Sequence, residues 1–489
     1  MKTTTNSIIE MPAWELSQRV CRREVSCAEV MQAYLDHIAK VNVSVNAIVA
    51  LQDRDALMKQ AEEKDALLVR GRSMGWMHGF PQAIKDMEET KGIVTTYGYR
   101  GLKDFVPQTD SLVVSRMKQA GSIIIGKTNV PEWGFGSHTF NEVYGTTANP
   151  YDHSRTSGGS SGGAACALAM RMQAVADGSD YMGSLRNPAA FCNVYGFRPS
   201  WGRVPNSGLE VFANTLPTRG PMARNVSDLA LLLSTLSGYE ESIPLSLEDD
   251  PVLKGLSPLT VHRSLQTSVK GRKIAWLADW GGYLPMEEGI LALCETALKT
   301  FSPLGVEVDL VPPPYNPAVL WNEIWLPLRH FTSQSLKGLY DNPDKRALLK
   351  AESVFEYEGG ANYDAGSLYR ASAKRTAWFN ALCKLFTAYD YIAVPTAQVF
   401  PFDKTIRYPK EISGRPMDTY HRWMEVVIPW TLSGSPVVSV PAGFNQEGLP
   451  MGLQLVGKPR GDFDLLQLAY AYETANDWLG KRKLSMPAC

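Results

Sequence analysis

Apolar positions change period along this chain. In EVMQAYLDHIAKV (residues 29–41) they recur at helical intervals, and Ser26 and Glu29 stand in capping-box spacing at its start. The first sixty-odd residues therefore predict helices. The pattern then switches. GFPQAIKD (79–86) is a short apolar run ending in charge, as a buried strand would be. Asp110 predicts the opening of a helix over SLVVSRMKQAG (111–121), and SIIIGKT (122–128) predicts a second strand. A small-residue helix is expected over AACALAMRMQAVA (164–176), then a turn-rich stretch, ADGSDYMGSLRNPAAF (176–191). Asn225 and Asp228 cap LALLLSTLSG (229–238), and the chain closes with apolar strands VVSVPAG and MGLQLVG and the helix DLLQLAYAYETANDW (464–478). Alternation of this kind predicts an α/β fold, a sheet covered by helices.

Composition narrows the class. The 489 residues are 44% hydrophobic and 20% charged, with formal net charge -1. No Lys/Arg run follows a nucleic-acid backbone, which argues against nucleic acid as a ligand. The N-terminus lacks the apolar core of a signal peptide, and no apolar run is long enough to cross a bilayer. The seven cysteines are scattered and never form CxxC, which predicts free thiols in a reducing compartment. A cytoplasmic protein is expected.

The candidate chemistry begins at RTSGGSSGGAAC (155–166), where Ser160 and Ser161 lie between two glycine pairs. A linker would join two self-sufficient patterns, but this stretch interrupts one continuous alternation. A phosphate loop would place lysine where Ala164 stands. Both serines fit GxSxG, the nucleophile elbow, which would draw on His330 or His421 late in the chain. A third reading uses a base other than histidine. Gly183-Ser184 falls in a turn before a short helix, where converging amides bind an oxyanion. Lys85 ends an apolar run, and a buried lysine becomes a neutral base.

These blocks, in order, resemble the amidase signature family: GFPQAIKD, AGSIIIGKTNVPEWGFGS, Asn141-x-x-x-Gly145-x-x-x-Asn149-Pro150, SGGSSGGAA, DYMGSLRNPAAFCNVYGFRPS, GPMARNVSDLALLL, YIAVPT and GSPVVSVPAGFNQEGLPMGLQLVG. The resemblance implies one domain with a mixed β-sheet core and helices on both faces. Its expected divisions are N-terminal helices (1–65), a catalytic core (66–240), a variable substrate-cleft region (241–430) and C-terminal strands and helix (431–489). It implies hydrolysis of a C–N amide bond without metal or organic cofactor. Ser184 then matches the nucleophile, Ser160 the cis-serine proton relay and Lys85 the base. The amides of Tyr181, Met182, Gly183 and Ser184 match the oxyanion hole, while Asn129, Ser161, Asp180 and Arg186 match supporting positions. The Gly159–Ser160 peptide is expected to be cis. Two departures stand out: Met182 replaces a customary glycine, and Phe197-Arg198-Pro199-Ser200 stands where LKPT is common.

Tyr315, Trp321, Trp325, His330, Tyr420 and Trp423 fall in the Pro- and aromatic-rich region expected to cover the site, and some of them are expected to line a cleft. Met182 is expected to add soft apolar surface beside the nucleophile. The expected substrates are small hydrophobic or aromatic amides and anilides, with esters and carbamates (urethanes) as relatives, acted on by a monomer or homodimer. Three other readings stay open. They are a glutaminase subunit of a tRNA-dependent amidotransferase complex, an esterase using Ser160 or Ser161 with His421, and a non-enzymatic binding module.

Overall fold

A computed structural model of the chain describes residues 5–208, 210–476 and 484. Its centre is an eight-stranded mixed sheet. In spatial order the strands are Glu307–Leu310, Lys273–Trp276, Tyr391–Pro395, Pro450–Val456, Val437–Phe444, Tyr195–Arg198, Thr218–Ala223 and Val175–Asp180. The first three run parallel, and every later neighbour is antiparallel. Tyr391–Pro395 and Pro450–Val456 are buried at every position. Because successive side chains point to opposite faces, unbroken burial means that both faces are covered.

A smaller sheet lies against the Val175–Asp180 edge. It orders Ile48–Val49, Ile123–Thr128 and Pro81–Lys85, the last two parallel, with Lys85 opposite Thr128. Side chains join the two sheets: Ala83 N–H donates to Gln173 Oε1 (3.1 Å), and Lys85 N–H donates to both oxygens of Asp177 (3.2 Å each).

Most elements follow the sequence pattern. Ser26 and Glu29 form a complete capping box on the helix Cys27–Val45, and Asn225 caps Val226–Leu236 by accepting from Asp228 N–H. Asp228 itself lies inside that helix, and its carboxylate accepts Ala13 N–H and Trp14 N–H instead of capping. Three further boundaries differ. The helix Leu112–Gln119 is capped by Ser111, because the Asp110 carboxylate is taken by Lys91 N–H and Lys118 Nζ. The helix after the glycine-serine loop ends at Ala169, and Val175 and Ala176 join an edge strand that also takes in Asp177–Asp180 from the stretch read as turns. The C-terminal helix runs Asp462–Ala475, with Asp477 and Trp478 outside the described residues. Cys21, Cys27, Cys166, Cys192, Cys294 and Cys383 are free thiols, whereas Cys489 lies outside the described residues. Among the described residues no helix is long and apolar enough to cross a membrane.

Candidate active site

Lys85 ends its strand fully buried, 0% exposed, and its Nζ reaches three hydroxyls. Ser160 Oγ and Ser161 Oγ lie 2.8 Å away and Ser179 Oγ 2.9 Å away. Burial pushes its pKa down to about 7, although Asp177, Glu88 and Asp180 pull the other way. Asp177 is pushed up to about 7, first by burial and then by Glu88. The amine therefore sits among serines, and the Asp177 carboxylate grips the Lys85 main chain instead of its side chain.

The loop bearing Ser160 is held from several sides. Its Gly159–Ser160 peptide is cis. Ser137 Oγ donates to Gly159 O (2.5 Å), and Thr139 Oγ1 donates to Gly158 O (2.8 Å). A Cβ on Gly163 would come within 2.3 Å of Asn129 N, so only glycine lets the helix Gly162–Ala169 approach this closely. Asn129 supports the same place, accepting Gly163 N–H at its carbonyl (3.2 Å) and donating from Nδ2 to Gly145 O and Thr147 Oγ1. Ser161 N–H donates to Ser184 O (3.2 Å), tying this loop to the next.

Ser184 lies in the turn between the strand Val175–Asp180 and the helix Arg186–Phe191, after Gly183 with φ +82°. Asp180 organises that turn. Its carboxylate accepts Gly183 N–H (2.9 Å) and Leu185 N–H (3.2 Å), and pairs with buried Arg186 (2.9 Å) and Arg198 (3.2 Å). Burial alone would raise this acid, but the two guanidiniums and the amide hold it well below the usual carboxylate range. Of the four amides expected to form an oxyanion hole, that of Gly183 already serves Asp180.

Ser160, Ser179 and Ser184 open onto one cavity of about 550 Å³, walled by Trp133, Phe135, Tyr181 and Phe331. Glu88 and Arg219 also reach it as an ion pair of 2.7 Å, with Glu210 on the facing loop. The aromatics expected from the variable region are placed differently. Trp321, Trp325, His330, Tyr420 and Trp423 are buried, and Tyr315 packs against the core at Trp378. Their bulk fills the protein behind the cavity, so the cleft aromatics come chiefly from residues 133–135 and 181. Met182 also turns inward, 4% exposed, against Arg329.

Among the described residues, none that lines this cavity is a histidine. His330 Nδ1 pairs with Glu356 O (2.9 Å), and His421 is enclosed by Trp321, Phe355 and Tyr420. Among the described residues no three His, Cys, Asp or Glu side chains converge as a metal-ligand set. Sequence reasoning missed Ser179, Asp177, Glu88 and Arg219. The available signal was the strand alternation that puts Asp177 and Ser179 on one face.

Comparison with known proteins finds relatives along nearly the whole chain. The family model described as Amidase matches residues 29–466. An acylamidase of Rhodococcus erythropolis is 31% identical, covering 98% of each chain. A subunit of the glutamyl-tRNA(Gln) amidotransferase of Thermosynechococcus vestitus is 34% identical, over 95% of this chain and 98% of that protein. The crystal structure of a bacterial aryl acylamidase superposes with TM-score 0.88 at 28% identity, covering 98% of this chain and 99% of that one.

Proposed function

The chain belongs to the amidase signature family, and from that premise we propose that it hydrolyses small hydrophobic or aromatic amides through an acyl-enzyme on Ser184. The observation that carries this reading is the placement of buried Lys85 Nζ 2.8 Å from Ser160 Oγ, beneath an aromatic-walled cavity onto which Ser184 opens. A neutral amine has one lone pair and two N–H groups. The lone pair serves Ser160, and the two N–H groups serve Ser161 and Ser179, which matches the three hydroxyls in reach.

In this mechanism Ser184 Oγ attacks the substrate carbonyl as its proton passes to Ser160, whose own proton passes to Lys85. The amides of Tyr181, Met182 and Ser184 receive the oxyanion, with Gly183 N–H holding the turn through Asp180. Lys85 then returns a proton through Ser160 to the leaving nitrogen. Water enters by the reverse relay and frees the acid.

Trp133, Phe135, Tyr181 and Phe331 favour an apolar acyl or anilide group over free glutamine. Aryl esters and carbamates share the tetrahedral chemistry and belong to the same proposal. A second reading, the glutaminase component of an amidotransferase, draws on the 34% identity to a chain of such a complex. Comparing kcat/KM of the purified chain for an aromatic anilide, an aryl carbamate and glutamine separates the two. Preference for the anilide or carbamate supports the proposal, and ammonia release from glutamine only with an added partner overturns it.

A further inference from the structure

The turn Tyr181–Ser184 is gripped from outside by a single helical turn of the variable region. Arg329, on the helix Leu326–Thr332, is 2% exposed and reaches Met182 Sδ with Nη1 (3.8 Å). Its Nε pairs with Glu356 Oε1 (2.5 Å), and its Nη2 donates to Tyr420 OH (2.6 Å). The rings of Phe135, Tyr181, Trp325 and Tyr420 surround Cζ at 5.3 to 5.8 Å. One turn along, Thr332 takes the neighbouring side chain. Its hydroxyl donates to Arg329 O (2.7 Å), which leaves Tyr181 OH to donate to Thr332 Oγ1 (2.5 Å). Two consecutive residues of the turn are thus fixed by residues three apart on one helix face.

A charge buried this deeply persists only with a partner, and Glu356 supplies it. Glu356 is itself fixed by Tyr420 OH and Ser333 Oγ, so the guanidinium has one orientation. The fork then presents a donor to a thioether, a polarisable acceptor on an otherwise flexible side chain. A glycine at this position would give Arg329 nothing to hold, whereas Met182 makes the side chain a tether for its own backbone amide.

We propose that Arg329 is a positioning residue that sets the oxyanion turn through the thioether of Met182. The inference rests on the reading that this turn receives the oxyanion. It predicts an effect on the chemical step with little effect on substrate binding, because Arg329 lies behind the turn and does not line the cavity.

The test combines Met182→Leu, the double variant Arg329→Met/Glu356→Gln, and all three changes together, assayed on an aromatic anilide. Leucine keeps the volume and removes the sulfur, a volume-conserving swap of the kind that cores tolerate best. The expected result is a kcat reduced about tenfold or more in Met182→Leu, with KM and melting temperature unchanged. The double variant should lose a similar factor, and the triple variant should lose no more than the double. Wild-type kcat in Met182→Leu overturns the proposal, as does multiplication of the two losses. If the double variant fails to fold, Met182→Leu alone decides. Ser184→Ala separates the two levels. Activity surviving in it removes the reading of Ser184 as the nucleophile beside this turn, whereas an inactive Ser184→Ala beside a fully active Met182→Leu removes only this inference.

Discussion

Asp177 accepts the main-chain N–H of Lys85 through both carboxylate oxygens, at 3.2 Å each, while Lys85 Nζ turns away to three serines. The acid fixes the position of the base without pairing with its amine. Its charge still bears on that amine by raising its pKa. Asp177→Asn keeps an acceptor for the N–H and removes the charge. The acid limb of kcat/KM should therefore move to lower pH, as a full pH–rate profile of the variant would record. A shift to higher pH contradicts this relationship.

The wild-type pH dependence follows from the same lysine. Only the neutral amine accepts a proton, and burial sets its pKa at about 7. Activity should be low in acid, rise through that value and level off on the alkaline side. A rate maximum near pH 5 would be incompatible with a lysine base.

Ser184→Ala and Lys85→Met should each lower kcat by about 10⁴-fold or more, and Ser160→Ala by about 10² to 10⁴. Lys85→Met removes a desolvated amine and keeps its volume, so its melting temperature should not fall by more than a few degrees. Intact-mass spectrometry after mixing with an activated ester locates the acyl group. It should appear on wild type and be absent from Ser184→Ala.

Asp180 holds the Ser184 turn and bears on stability. Its removal leaves Arg186 and Arg198 buried without a counter-charge, so Asp180→Asn should cost about 3 to 5 kcal/mol in urea unfolding. Because its folded pKa is depressed, its contribution is fully present above the ordinary carboxylate range. It is lost as pH falls through that range toward the folded value. A variant as stable as wild type would show that the network is dispensable.

Lys85, Ser160, Ser161 and Ser184 were legible in the sequence because each lies in a short block whose glycines and strand ends constrain the local backbone. The capping box at Ser26 and the cap at Asn225 were legible for the same reason, being interactions over three residues. Arg329 was not. Its partners Met182, Glu356 and Tyr420 lie 147, 27 and 91 positions away, and no local pattern records which distant side chains meet. Burial also reversed one expectation. Aromatic content suggested a lined cleft, but the tryptophans at 321, 325 and 423 gain more by filling the interior, and smaller stretches at 133–135 and 181 face the cavity.

One helix both walls the cavity, at Phe331 and Thr332, and grips the turn, at Arg329 and Thr332. Evolution of new specificity on that wall is therefore tied to rate, since a substitution chosen for fit also disturbs the turn. Across the cavity, Trp133 stacks on Tyr97 at 5.1 Å. Met87 lines the same side of the cavity as Trp133, and libraries built at these two positions should broaden the substrate range at constant turnover, whereas libraries at Thr332 should yield tighter binders that are slow.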